Sequence, residues 1–124
     1  MKQDRGAAMI ELALILPLLV MLLVGIVDFG RAYSAQVSIT GAAREGARTL
    51  ALGGSSAAVT DAVNGAKGLA SVTSIVLTAC PASSTGTSTA VATVVVNASF
   101  TFGIPFVPIA PKTFSATARM RCGL

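Results

Sequence analysis

Gly6-Ala7-Ala8-Met9-Ile10-Glu11-Leu12-Ala13-Leu14-Ile15-Leu16-Pro17-Leu18-Leu19-Val20-Met21-Leu22-Leu23-Val24-Gly25-Ile26-Val27 is the stretch that decides the fold. From Leu12 to Val27 it carries no charge, and the next charged residue is Asp28. A helix rising about 1.5 Å per residue covers roughly 33 Å between Gly6 and Val27, against about 30 Å for the hydrocarbon core of a bilayer. A buried helix in a soluble protein would need a surrounding core that the mostly small residues downstream do not supply. A cleaved secretory signal is the stronger rival. Such signals have an apolar region of only about 7–15 residues, followed by a small-residue cleavage site. Here Asp28-Phe29-Gly30-Arg31-Ala32-Tyr33 follows with no A-x-A pattern, so the run is expected to stay in the protein as an anchor. Lys2 and Arg5 precede it, and basic flanks favour the cytoplasmic side, which places the C-terminal part outside. Arg31 on the far flank reduces that asymmetry.

The remaining composition narrows the function. Of 124 residues, 53% are hydrophobic and only 11% are charged, where an average soluble domain carries about 25% charged residues. The excess lies in the run just quoted, and the rest reads as one small Ala/Val/Thr/Ser-rich domain. With no histidine, and five carboxylates in all, histidine acid–base chemistry and histidine metal sites are excluded. The net charge of +4 does not make a nucleic-acid protein, because the nine basic residues are scattered and not interleaved with aromatics.

Two residues inside the run need an account. Pro17 removes a backbone donor and clashes with the preceding turn, so a kink is expected there. A carboxylate at Glu11 is costly in a spanning segment unless it has a partner or a function. The alternative is that Glu11 lies shallow enough to reach the headgroups. The local order Arg5-Gly6-Ala7-Ala8-Met9-Ile10-Glu11 resembles a type IV prepilin leader: a short basic segment ending in Gly, with Glu at the fifth position after it. The resemblance implies cleavage between Gly6 and Ala7 by a prepilin peptidase, with Gly6 keeping the leader extended and accessible. It also implies that Glu11 neutralises the new Ala7 amino group of a neighbouring subunit, since either charge alone would be costly in an apolar assembly.

Downstream, apolar or small residues recur at helical spacing through Tyr33, Val37, Ala43, Ala47 and Leu50, so the helix is expected to run on to about Leu52 and stop at Gly53-Gly54. Ala42/Gly46 and Ala43/Ala47 are small-xxx-small pairs, which either admit a second helix or fill an ordinary packed face. Arg44 and Arg48, with Glu45 between them, read as a solvated face. Gly6–Pro17, Asp28-Phe29-Gly30 and Ala42-Ala43-Arg44-Glu45-Gly46-Ala47-Arg48, in that register, resemble the TadE-like family. Its members are pseudopilins, or minor pilin-like proteins, of bacterial tight-adherence pilus systems. The resemblance covers roughly the first 50 residues and implies a leader over residues 1–6. With the hydropathy and helical spacing, the chain divides further into a transmembrane helix over 7–27, an extracytoplasmic extension over 28–54, and a small α+β exported domain over 55–124. The resemblance also implies as partners membrane lipid, other pilin-like subunits, the peptidase and a pilus assembly platform.

In the exported half, a second helix is expected from Ser56 to about Leu69, capped by Ser55 or Ser56. Three strands follow, Val72–Ala79, Ala90–Phe102 and Thr113–Arg121, the last two alternating apolar and polar residues. They predict a three-stranded antiparallel meander laid on the helix, an α+β fold. Pro81–Thr89 is a polar hairpin connection. Gly103–Lys112 is stiffened by three prolines and carries Ile104, Phe106, Val107 and Ile109; it either caps the core or is exposed as a contact for membrane or partner. Cys80 closes the first strand and Cys122 follows the last, so a meander can bring them to the same edge, and in an exported domain a disulfide between them is expected. Two thiolates alone make half a zinc site, so no metal or other cofactor is expected.

Three functions compete. The first is a processed, pilin-like structural subunit. The second is an uncleaved, anchored exported module that binds the cell envelope or a protein. The third is an enzyme whose acids and bases reduce to Asp28, Glu45, Asp61 and scattered serines, with no histidine base, GxSxG or phosphate loop. The third is set aside.

Overall fold

The computed structural model describes residues 2–82 and 89–123, with side chains from Arg5 onward. Its element order is α1 (Lys2–Ala51), α2 (Ser56–Ala66), β1 (Ser71–Thr78), β2 (Val91–Phe100) and β3 (Lys112–Arg121). The sheet is antiparallel in the order β1-β2-β3. This is the α+β architecture that the periodicities predict.

α1 runs unbroken for 50 residues from Lys2 to Ala51, with Pro17 inside it. Fifty residues at about 1.5 Å each make a rod roughly 75 Å long. Its end is set by Gly53, which adopts φ +83°. The Gly54 N–H donates to Thr49 O and the Gly53 N–H to Leu50 O, at 2.9 and 3.1 Å. That pair of bonds is a Schellman cap, which satisfies the last carbonyls of the helix and needs a left-handed residue at the turn.

α2 starts at Ser55, whose side-chain oxygen accepts from the Ala58 N–H at 3.3 Å. It stops at Ala66, short of the expected Leu69. Gly68 sits at φ +60° and the Ala70 N–H turns back to Lys67 O, so the chain leaves the helix on its way into β1. β2 likewise ends at Phe100, before the expected Phe102. Phe100 is the last residue paired with β3, opposite Lys112. In β1 the register slips between Val72 and Ser74. The Thr73 hydroxyl donates to Asn97 O there, and Asn97 Nδ2 donates to Ser74 Oγ, so side chains bridge the irregular step.

The core lies between the C-terminal half of α1, α2 and one face of the sheet. It consists of Ile39, Ala42, Ala43, Ala47 and Leu50 of α1, Val59 and Val63 of α2, Ala70, and Ala92, Val94, Val96, Ala98, Ala116 and Ala118 of the sheet. The alternation in β2 is strict: Ala92, Val94, Val96 and Ala98 are buried, while their neighbours are not. Among the described residues the fully buried cluster holds no aromatic, and half-buried Phe114 and Met120 pack against it, so the core is built mainly from small side chains. The proposed polar connection at Pro81–Thr89 falls largely outside the described residues, which omit 83–88.

Candidate functional site

The first half of α1 is bare. Leu12, Leu14, Leu16, Leu18, Leu19, Leu22, Leu23, Ile26 and Val27 are all exposed. The most apolar 18-residue window has a mean hydropathy of 2.8 and none of it is buried among the described residues. A core helix of a soluble protein would be covered by its own chain; this one is not. It is long and apolar enough to cross a membrane.

Gly6, Ala7, Glu11 and Pro17 all lie on this uncovered segment and all are exposed. The Gly6–Ala7 bond sits inside α1, so the expectation that Gly6 keeps the leader extended is not met: the leader is helical. A methyl group built on Gly6 would meet nothing within 4 Å. Glycine at this place therefore serves no packing need within the chain, and it does lower helix stability by roughly 1 kcal/mol relative to alanine. Ala7 and Glu11 are one turn apart and share a face.

The small residues farther along have a different place. Ala42, Ala43, Gly46 and Ala47 are buried, and they face α2 and the sheet of the same chain. A methyl group on Gly46 would stand 2.7 Å from Val63 Cγ2, 3.3 Å from Val94 Cγ1 and 3.4 Å from Val59 Cγ1. Of the two roles left open for these pairs, the structure fills the intramolecular one: close approach of α1 to α2 and β2. Arg44, Glu45 and Arg48 remain exposed on the opposite face.

Cys80 and Cys122 are joined in a disulfide with Cα atoms 5.8 Å apart. The bond ties the end of β1 to the end of β3 across β2, and the Cys122 N–H donates to Ala90 O beside it.

Asp28 is the residue whose role the sequence did not disclose beyond its position. It is 5% exposed, although it is the first charge after the apolar run. Its Oδ2 accepts the Gly103 N–H at 2.6 Å, from 75 positions along the chain. Its Oδ1 faces Arg31 at 3.5 Å, an exposed partner that adds little. The Arg31 guanidinium lies over the Phe100 ring, 5.8 Å from its centroid, and Phe102 packs edge-on against Phe100 at 5.0 Å. Asp28 thus fastens the start of the proline-rich loop to α1. The sequence marked Asp28 by its place at the end of the apolar run and within Asp28-Phe29-Gly30, but not its partner in the β2–β3 loop.

A groove of about 550 Å³ opens between α1 and the start of β1, lined in part by Ser34, Ser38, Ser71 and Ser99. Its polar groups are neutral hydroxyls and Arg31, which bring together neither a nucleophile with a base nor a cation cradle.

With this geometry established, comparison with known proteins adds one finding. The family model described as TadE-like protein matches residues 6–48. Over that stretch, about a third of its length, the chain is similar to TadE-like proteins. No curated protein and no solved structure matches. The TadE-like match begins at the glycine preceding Ala7, takes in Glu11, Pro17 and Asp28, and stops within α1 at Arg48. It therefore covers the bare half of the helix and most of the packed half, and leaves α2 and the sheet outside.

Proposed function

We propose that this chain is a membrane-anchored, pilin-like structural subunit of a bacterial tight-adherence pilus machinery. The observation that carries the reading is the uncovered apolar half of α1, headed by Glu11 and lying within the TadE-like match. In this reading α1 crosses the cytoplasmic membrane once, with Lys2 and Arg5 on the cytoplasmic side and the α+β domain outside. A prepilin peptidase cuts between Gly6 and Ala7. The helical leader must unwind to be cut, and Gly6 eases that step.

After the cut, Ala7 carries a positive amino group one turn before Glu11. An axial stagger of one turn, about 5.4 Å, sets the amino group of one subunit opposite Glu11 of the next. Each charge then neutralises the other where either alone would be costly. Association with other pilin-like subunits and an assembly platform follows through the same helical face.

N-terminal sequencing of the protein extracted from membranes tests this reading. Ala7 is expected as the first residue, and Gly6→Ala, which strengthens the helix across the bond, is expected to slow the cut. A mature protein that still begins upstream of Gly6 would overturn processing and leave the uncleaved anchored module in its place.

A further inference from the structure

The loop between β2 and β3 has an unusual composition and a fixed address. β2 runs down α1 toward its N-terminus: Val94 lies beside Gly46, Phe100 beneath Arg31, and the Gly103 N–H on Asp28. The hairpin tip therefore leaves the domain at the level where the uncharged part of α1 begins. At that level α1 exposes Ile26, Val27 and Phe29.

The tip itself is apolar and carries no charge from Thr101 to Pro111. Ile104 and Ile109 are half-buried and hold the loop down, whereas Phe106 is 97% exposed and Val107 is exposed beside it. Phe106 also stands at φ +62°, a left-handed conformation costly for a bulky side chain. A strained backbone that turns a phenyl ring away from its own core points to an occupant outside the chain. Lys112 and Arg31 flank the tip and are exposed, the arrangement that places cations among lipid phosphates above buried aromatics.

We propose that loop 101–111 is a second membrane contact, with Phe106 and Val107 seated in the interfacial layer of the same bilayer that α1 crosses. This rests on the membrane-spanning reading of α1. The helix alone leaves the tilt of the rod in the bilayer open; a second lipid contact, tied to the helix through Asp28 and Gly103, fixes the side of the rod that leans toward the membrane.

The chain has no tryptophan, so single substitutions give clean probes. Full-length F106W, L19W and L52W would be reconstituted in phosphatidylcholine/phosphatidylglycerol vesicles containing phosphatidylcholine brominated near the headgroup end of its acyl chains, to report on F106W, or near their methyl end, to report on L19W. Leu19 lies in the bare half of α1 and Leu52 at its far end, and both are exposed. F106W is expected to emit at shorter wavelength than L52W, to lose intensity to the brominated lipid, and to resist aqueous iodide. L52W is expected to show the reverse. Iodide-accessible F106W alongside lipid-quenched L19W would overturn the loop contact and leave the anchor standing. F106W shielded from both quenchers would overturn it in favour of a protein cover such as a second copy. Loss of lipid quenching at L19W would overturn the anchor, and the loop contact with it.

Discussion

The two halves of α1 treat apolar side chains in opposite ways. Between Leu12 and Val27 the large residues project outward and stay uncovered. Between Ala32 and Leu50 the buried positions are mostly alanine, with Ile39 and Leu50 the large exceptions. One helix thus carries an uncovered surface, long and apolar enough to cross a membrane, and a surface for a close-packed protein neighbour. Mean hydropathy is a poor guide to that difference, and side-chain size is a better one. Bulky residues gain from any apolar surroundings, while small ones matter where a second backbone must come near. The packed half gains closeness but little buried area, since small side chains remove little surface from water.

That cost predicts the largest effect. A core built mainly of Ala and Val, with Phe114 only at its edge, should depend heavily on its covalent staple. Closing 42 positions between Cys80 and Cys122 is worth about 4 kcal/mol in the chain-entropy model. Cys80→Ala with Cys122→Ala should lower the unfolding free energy of the domain by that order, read from urea unfolding in detergent micelles by strand circular dichroism. A change below about 1 kcal/mol, far short of that loss, would mean that the packed half is more self-sufficient than its side chains indicate.

The contrast itself is sharpened by making the same substitution in each half. Gly25→Ala adds a methyl that meets nothing within 4 Å, so domain stability should not change. Gly46→Ala adds one that meets Val63 Cγ2 at 2.7 Å, on a branched side chain with no room to move. Overpacking of this kind costs about 1–3 kcal/mol, from which about 1 kcal/mol of helix propensity is regained. A net loss of up to about 2 kcal/mol is expected at Gly46 from these two effects, by the same unfolding measurement. Equal effects at both glycines would erase the distinction between the halves.

Much of this was legible in the sequence because the physics involved is local. The uncharged run, the Gly53-Gly54 stop and the strict alternation of β2 are patterns within a few residues of one another, and each appears where it is expected. The disulfide was legible because only two cysteines exist, one closing the first strand and the other following the last, ends that an antiparallel meander brings to the same edge. Other features depend on distant partners. Ala42/Gly46 and Ala43/Ala47 have the same spacing whether they face another subunit or their own sheet, and only the fold shows that Val63 and Val94 occupy the space. The slip at Thr73 and the positive φ at Phe106 have no marker in residue type, since neither position holds glycine. The prolines of Gly103–Lys112 announced a stiff loop, but its level on the helix is set by Asp28, 75 positions away.

The smallest effect is expected at that tether. Asp28→Ala removes the acceptor of the Gly103 N–H while leaving both halves of α1 intact. Hydrogen bonds to charged groups are worth about 1.5–3 kcal/mol when both sides stay buried. Here Gly103 is exposed, so water can replace the lost carboxylate. The global loss should be about 1 kcal/mol, below the range for a fully buried bond. The local consequence should be larger than the global one. Faster amide hydrogen exchange is expected at Gly103 and through the loop to Ala110, with the β2–β3 ladder beyond Asn97 and Ser115 unchanged. Exchange that rises equally across the sheet would show that Asp28 supports the packed core and does not merely pin the loop at the boundary between the two halves.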